Sequence, residues 1–185
     1  LLISLNVNGQ ELNVTHYDLS SVFPSSSLYA LHQDNRGNLW IANGVGVCRY
    51  DGYDFVSFTQ KDGIPGFNVL KFFPQNNSSI WGTCFDHSLF YFSGNSNKFH
   101  AYIFNDTIKS YLGPKAEIKS VFVDKAGTLH LGGCSIPPAF KIDRTGKVTY
   151  DNDENISEIN YLCLKDDFFF VSSHLSSTVE KSTFI

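Results

Sequence analysis

Two tryptophans, Trp40 and Trp81, stand 41 residues apart, each inside a short apolar run that follows a polar turn. Aligned on them, the chain repeats. "LYALHQDNRGNLWIANGVGVCRYD" begins at Leu28 and "VLKFFPQNNSSIWGTCFDHSLFYFS" at Val69. "IKSVFVDKAGTLHLGGCSIPPAFKID" begins at Ile118 and "NYLCLKDDFFFVSSHLSSTVEKSTF" at Asn160. Asp34 and Asp124 are 90 residues apart, two periods with one longer loop. Gly37 recurs as Gly127, and Leu39-Trp40 recurs as Ile80-Trp81 and then as Leu129-His130. A period of about 40–45 residues restricts the chain to folds built from one stacked unit.

Each unit reads as four short strands. First strands are expected at 28–33, 70–73, 118–123 and 161–164, each followed by a turn of Asp, Asn or Gly. The second strand carries the Trp. Third strands are expected at 47–50, 89–92, 139–142 and 180–184, and fourth strands at 55–59, 99–104 and 147–150. No long run shows the 3.6-residue period, so helix should be scarce. "SVFVD" and "YLCL" lack the alternation of a sheet with one wet face, so both faces of these strands need a cover. Quartets covered on both sides are the blades of a propeller. The expected fold is all-β: a β-propeller fragment of about four blades, each of four antiparallel strands. Residues 11–185 would form the partial propeller, with blades at about 28–60, 69–105, 118–152 and 160–185, and an extra leading strand at 13–18. Trp40 and Trp81 would fill the wedges between blades. Residues 1–10 read equally as the remnant of a secretory signal or as a leading strand turning at Asn8-Gly9. No Met occurs, which suggests a fragment or a processed product. Uncovered blade edges would then favour self-association.

Composition narrows the function. Hydrophobic residues make up 42% of 185 and aromatics 15%, as in a globular, strand-rich chain. The net charge of -4 and the absence of a Lys/Arg block give no basis for binding nucleic acid. No apolar run is long enough to span a bilayer. Cys48, Cys84, Cys134 and Cys163 stand alone, outside metal-clip spacing; buried free thiols are the main reading, though an even count permits disulfides. No metal and no cofactor is expected. Nucleophile-elbow, zinc-protease and phosphate-loop motifs are absent. Asp34, Asp51, Asp124 and Asp143 recur at turns and read as turn caps, because calcium needs several oxygens on one point. The candidate ligand-binding residues are Asp86 and His87 of "CFDHS", with Asn43 at the matching turn of the first repeat. "SIPP" (135–138) would stiffen the third such turn.

The first repeat is specific. "GVGVCRYDGYDFVSF" (44–58) resembles the two-component regulator propeller repeat. The match runs through Asp34, Gly37, Leu39, Trp40, Ile41, Gly46, Arg49, Tyr50, Asp51, Gly52 and Phe55, with Val47 where Leu is usual. "KDGIPGFNVL" (61–70) is similar to the linker between such repeats. The likeness fades along the chain: the second repeat has Gln75–Ser79 in place of the Asp-x-x-Gly turn, and the third has His130 in place of Trp. The resemblance implies the periplasmic sensor region of a hybrid histidine kinase of the Bacteroidetes type, non-catalytic in itself. It implies an oligosaccharide or other small ligand, pairing of sensors, and membrane attachment only through downstream segments. Two alternatives stand beside it: a lyase resembling streptogramin lyases, with Asp86 and His87 as acid and base, or a structural propeller that binds protein partners.

Overall fold

The computed structural model describes residues 27–75, 79–93 and 98–150, and three later strands as backbone alone. The first repeat folds into β1 (Leu28–Gln33), β2 (Leu39–Asn43), β3 (Val47–Tyr50) and β4 (Phe55–Phe58). The second gives β5 (Val69–Pro74), β6 (Ile80–Cys84), β7 (Leu89–Ser93) and β8 (Lys98–Ala101). The third gives β9 (Glu117–Val123), β10 (Leu129–Cys134), β11 (Phe140–Ile142) and β12 (Val148–Thr149). Each set is an antiparallel meander in chain order. β13 (Ile156–Leu164), β14 (Asp167–His174) and β15 (Val179–Phe184) form a further meander. It joins β10 through the pairs Gly133↔Ile159 and Cys134↔Glu158, so the last seven strands share one sheet. The expected leading strand at 13–18 and residues 1–10 lie outside the described residues.

The Asp-x-x-Gly turn is held by its own aspartate. Asp34 Oδ1 accepts from the backbone N–H of Arg36 and of Asn38, both at 2.9 Å, and Oδ2 accepts from the Asn38 amide at 2.8 Å. Gly37 adopts φ +86°, which an L side chain resists. Gly127 repeats this at φ +81°, with Thr128 N–H donating to Asp124 Oδ1 at 2.9 Å. Asp143 repeats it in the β11–β12 turn, accepting from Thr145 and Lys147. Asp51 caps the β3–β4 turn by accepting from Tyr53 and Asp54. All four aspartates of the sequence analysis are therefore turn caps.

The three quartets pack face to face. Trp40, Ala42, Val47 and Phe58 of the first meet Ile80, Phe90, Phe92 and Phe99 of the second in one buried cluster. Phe73, Trp81 and Leu89, from the opposite face of the second quartet, meet Val121, Leu129, Leu131 and Phe140 of the third. The second blade is thus covered on both sides, as its unalternating strands require. Trp40, 1% exposed, lies 4.7 Å from Phe92 and 6.0 Å from Phe99 between ring centroids. Burying such a side chain is worth about 3 kcal/mol. Trp81 fills the next wedge against Tyr91 and Tyr102.

Helix is scarce among the described residues, and the one α-helix begins just past the strand expected at 99–104. β8 ends at Ala101, not Phe104, and α1 (Asn105–Tyr111) follows. Tyr102 and Phe104 leave the strand to pack on the cluster around Trp81. Asn105 then pairs with both backbone groups of Leu89, accepting at 2.8 Å and donating at 2.9 Å. Its amide takes the place of a further strand residue on β7. Ile108, Leu112 and Ala116 bury the insertion against the third blade. Cys48, Cys84 and Cys134 are free thiols, the first two buried. Burial pushes the Cys48 thiol up to about 11 and, with the Asp86 charge adding to it, the Cys84 thiol up to about 12. The side chain of Cys163 lies outside the described residues.

Candidate functional site

Strand direction divides the blades into two ends. At one lie the Asp-x-x-Gly turns. At the other, β1 begins opposite the last residue of β2, with Leu28 paired to Asn43. β4 also finishes there, since Phe58 pairs with Val47. The linker from Thr59 to Asn68 therefore runs along this second end, together with the turns after β2, β6 and β10. All three candidate ligand residues lie at it.

Each has an evident local task. Asn43, 3% exposed, accepts from the N–H of Val45 at 2.8 Å and of Gly46 at 3.0 Å, closing the β2–β3 turn. Asp86 accepts from the Ser88 hydroxyl at 2.9 Å and from Lys109 of α1 at 2.7 Å. Burial raises the Asp86 carboxyl, but the Lys109 and Ser88 bonds outweigh it and hold it below the ordinary carboxylate value. His87 sits at φ +64° with Nε2 2.9 Å from the Ala116 carbonyl. A carbonyl only accepts, so Nε2 carries the hydrogen. Both residues of the second turn are thus tied to the 102–116 insertion. No hydrogen bond joins Asp86 to His87, so the acid and base of a lyase are not assembled as a pair.

The linker end has a different centre, which the sequence analysis missed. Asn68, at φ +51°, donates its N–H to Gly44 O at 3.1 Å, and its carbonyl accepts from Phe85 N–H at 3.0 Å. One residue thereby ties the β2–β3 turn of the first blade to the β6–β7 turn of the second. The Tyr29 hydroxyl reaches Asn68 Oδ1 at 3.4 Å. Gly66 is packed so closely that a Cβ there would lie 3.2 Å from Cys84 Cβ and 3.1 Å from Asp86 Oδ1. The available signal was an Asn where a tight linker enters a strand, since Asn tolerates positive φ better than most residues. Around this anchor stand three exposed rings: Phe85 at 70%, Phe67 at 59% and Tyr29 at 46%. Among the described residues no cluster of His, Cys, Asp and Glu is placed to hold a metal ion.

Four-stranded antiparallel meanders, stacked face to face on wedges of aromatic residues, define a β-propeller architecture. Within it, residues 23–44, which include β1, the Asp34 turn and β2, match the family model of the two component regulator propeller. Two crystal structures share the fold, both of the extracellular domain of BT4673 from B. thetaiotaomicron. One is assigned to a one component system, at 14% identity and TM-score 0.53. The other is assigned to a hybrid two component system, at 13% identity and TM-score 0.54. Each comparison covers 84% of this chain but 23% of the BT4673 structure, so the chain spans about a quarter of its length. No curated protein matches the chain.

Proposed function

We propose that this chain is part of the extracytoplasmic sensor region of a hybrid two-component histidine kinase, non-catalytic and facing the periplasm. The match of residues 23–44 to the two component regulator propeller carries this reading. The extracellular setting of the structures with the same fold supports it. The ligand class is a carbohydrate or a similar small polar molecule, received at the linker end of the blades. Exposed rings at that end support this, because an aromatic face suits the C–H face of a sugar ring. Binding would favour one arrangement of paired sensors, by no more than the ligand's differential affinity for the two arrangements. Asp86 and His87 are each bonded to the 102–116 insertion and not to each other, which argues against a lyase role. The test is the coding sequence around these 185 codons. Continuation into further blades, a membrane helix and a kinase is expected; a reading frame that joins the blades to an enzyme domain without a kinase overturns the reading.

A further inference from the structure

We infer that the β2–β3 turn of the first blade and the β6–β7 turn of the second are one conformational unit, opening and closing together through the backbone of Asn68. This coupling is a property of the fold and needs no ligand.

The two bonds of Asn68 leave from neighbouring peptide groups. The N–H that donates to Gly44 O at 3.1 Å belongs to the Phe67–Asn68 peptide. The carbonyl that accepts from Phe85 N–H at 3.0 Å belongs to the Asn68–Val69 peptide. Each peptide is a rigid plane, so only the φ and ψ of Asn68 lie between the two bonds. At φ +51° those angles sit in the small left-handed region, which confines how the planes can turn against each other. When one turn draws away, the bond to the other must bend or break with it.

The linker around Asn68 is braced. Ile64 and Val69 are buried in the wedge between the first two blades. Val69 is also in register with Cys84, the last residue of β6. Between them Gly66 runs so close to β6 that a Cβ there would lie 3.2 Å from Cys84 Cβ. Displacement of the linker is therefore felt at the second turn by contact as well as by hydrogen bond. The other turns are held differently. Asp34 and Asp124 accept from donors of their own blades. The second turn meets the 102–116 insertion through side chains, His87 to Ala116 O at 2.9 Å and Asp86 to Lys109 at 2.7 Å. Rotation about χ angles absorbs small displacements there, so the stiff coupling is confined to the first two blades.

Native-state amide hydrogen exchange on the full chain, read residue by residue by NMR, tests this. Asn43→Ala removes the acceptor of the Val45 and Gly46 N–H groups and so loosens the first turn. The Phe85 amide, whose own partner is untouched, should then exchange about fivefold faster, the effect of losing one hydrogen bond. The Thr128 amide, capped by Asp124 in the third blade, should keep its rate. Asp86→Ala removes the acceptor of Ser88 and loosens the second turn. It should speed the Asn68 amide by a similar factor, because coupling is reciprocal. Asn68→Val puts a β-branched residue where φ is positive, and in that background Asn43→Ala should no longer reach Phe85. Asn68→Gly accepts the positive φ and should keep the response. An unchanged Phe85 rate in Asn43→Ala, or a response that survives Asn68→Val, overturns the coupling. An equal rise at Thr128 overturns it too, since the turns then loosen only with the whole chain. Should Asn68→Val not fold, Asn43→Ala and Asp86→Ala decide by themselves. Uncoupled turns leave the sensor reading intact, and a coding sequence without a kinase leaves the coupling intact.

Discussion

The Asp34 turn of the first blade and the Asp124 turn of the third are built alike and filled differently. In both, Oδ1 caps the turn and Oδ2 accepts from the side chain six residues on. That donor is Trp40 Nε1 at 2.9 Å in one blade and His130 Nε2 at 3.0 Å in the other. The surroundings diverge. Trp40 is wedged among Phe58, Phe92 and Phe99, with the Arg49 guanidinium 5.7 Å from its ring. His130 has Phe122 at 5.4 Å and lies on the face of β10 opposite Leu129 and Leu131, which pack on the second blade. The repeat therefore conserves a geometry, a carboxylate and a ring N–H across a tight turn. The size of the ring depends on the wedge it must fill.

Truncation separates the two parts most strongly. Trp40→Ala removes the largest side chain of the first wedge and should cost about 3–5 kcal/mol in urea unfolding. His130→Ala removes a smaller ring and one charge-assisted hydrogen bond, about 1–2 kcal/mol. Equal losses would mean that the ring's hydrogen bond, not its packing, stabilises the blade. The aspartates give the next effect. Asp34→Ala frees the backbone N–H of Arg36 and Asn38 and the indole N–H, and should cost about 2–3 kcal/mol. Asp124→Ala should cost about 1–2 kcal/mol, since fewer donors depend on it. A larger loss at Asp124 than at Asp34 would break the parallel.

The same contrast shows what the sequence could disclose. Strand quartets were legible because Trp40 and Trp81 keep their register with the turn before and the strand after. The third blade was legible through Asp124 and Gly127 although its tryptophan is replaced, because a turn that demands positive φ leaves a glycine behind. α1 was not legible. Its seven residues are too few to show a helical period, and tertiary contacts of Asn105 and Ile108 create it. The second blade's turn hid another device. Gln75 donates to Val121 O at 3.0 Å and accepts from Val123 N–H at 3.1 Å, so it joins two blades where an aspartate would cap one. At the linker end, sequence drew attention to the polar residues Asp86 and His87, and the structure finds both bonded to the insertion. Phe85, Phe67 and Tyr29, exposed near Asn68, look in sequence like any other core aromatic.

Titration gives the smallest effect and the sharpest distinction, because an indole has no proton to gain and an imidazole does. Burial lowers the pKa of His130, and the opposing pull of Asp124 does not restore it. Its folded value therefore lies below its unfolded value, and the neutral ring is the form that folding favours. The stabilisation is present above the unfolded pKa near 6.5 and is lost as pH falls through the folded value. Asp124 is raised by burial but lowered further by the His130 and Thr128 bonds, so its contribution is lost only under more acid conditions, below its ordinary 3.8. Between pH 7 and pH 5 the urea midpoint of the native chain should thus fall. His32, also lowered chiefly by burial against the raising effect of Asp34, contributes to the same fall in every variant. The informative quantity is the difference in slope between the native chain and His130→Trp, in which the third blade takes the residue of the first. The variant should show the shallower fall; identical slopes would mean that His130 keeps its unfolded affinity for protons, and that the two turns differ in ring size alone.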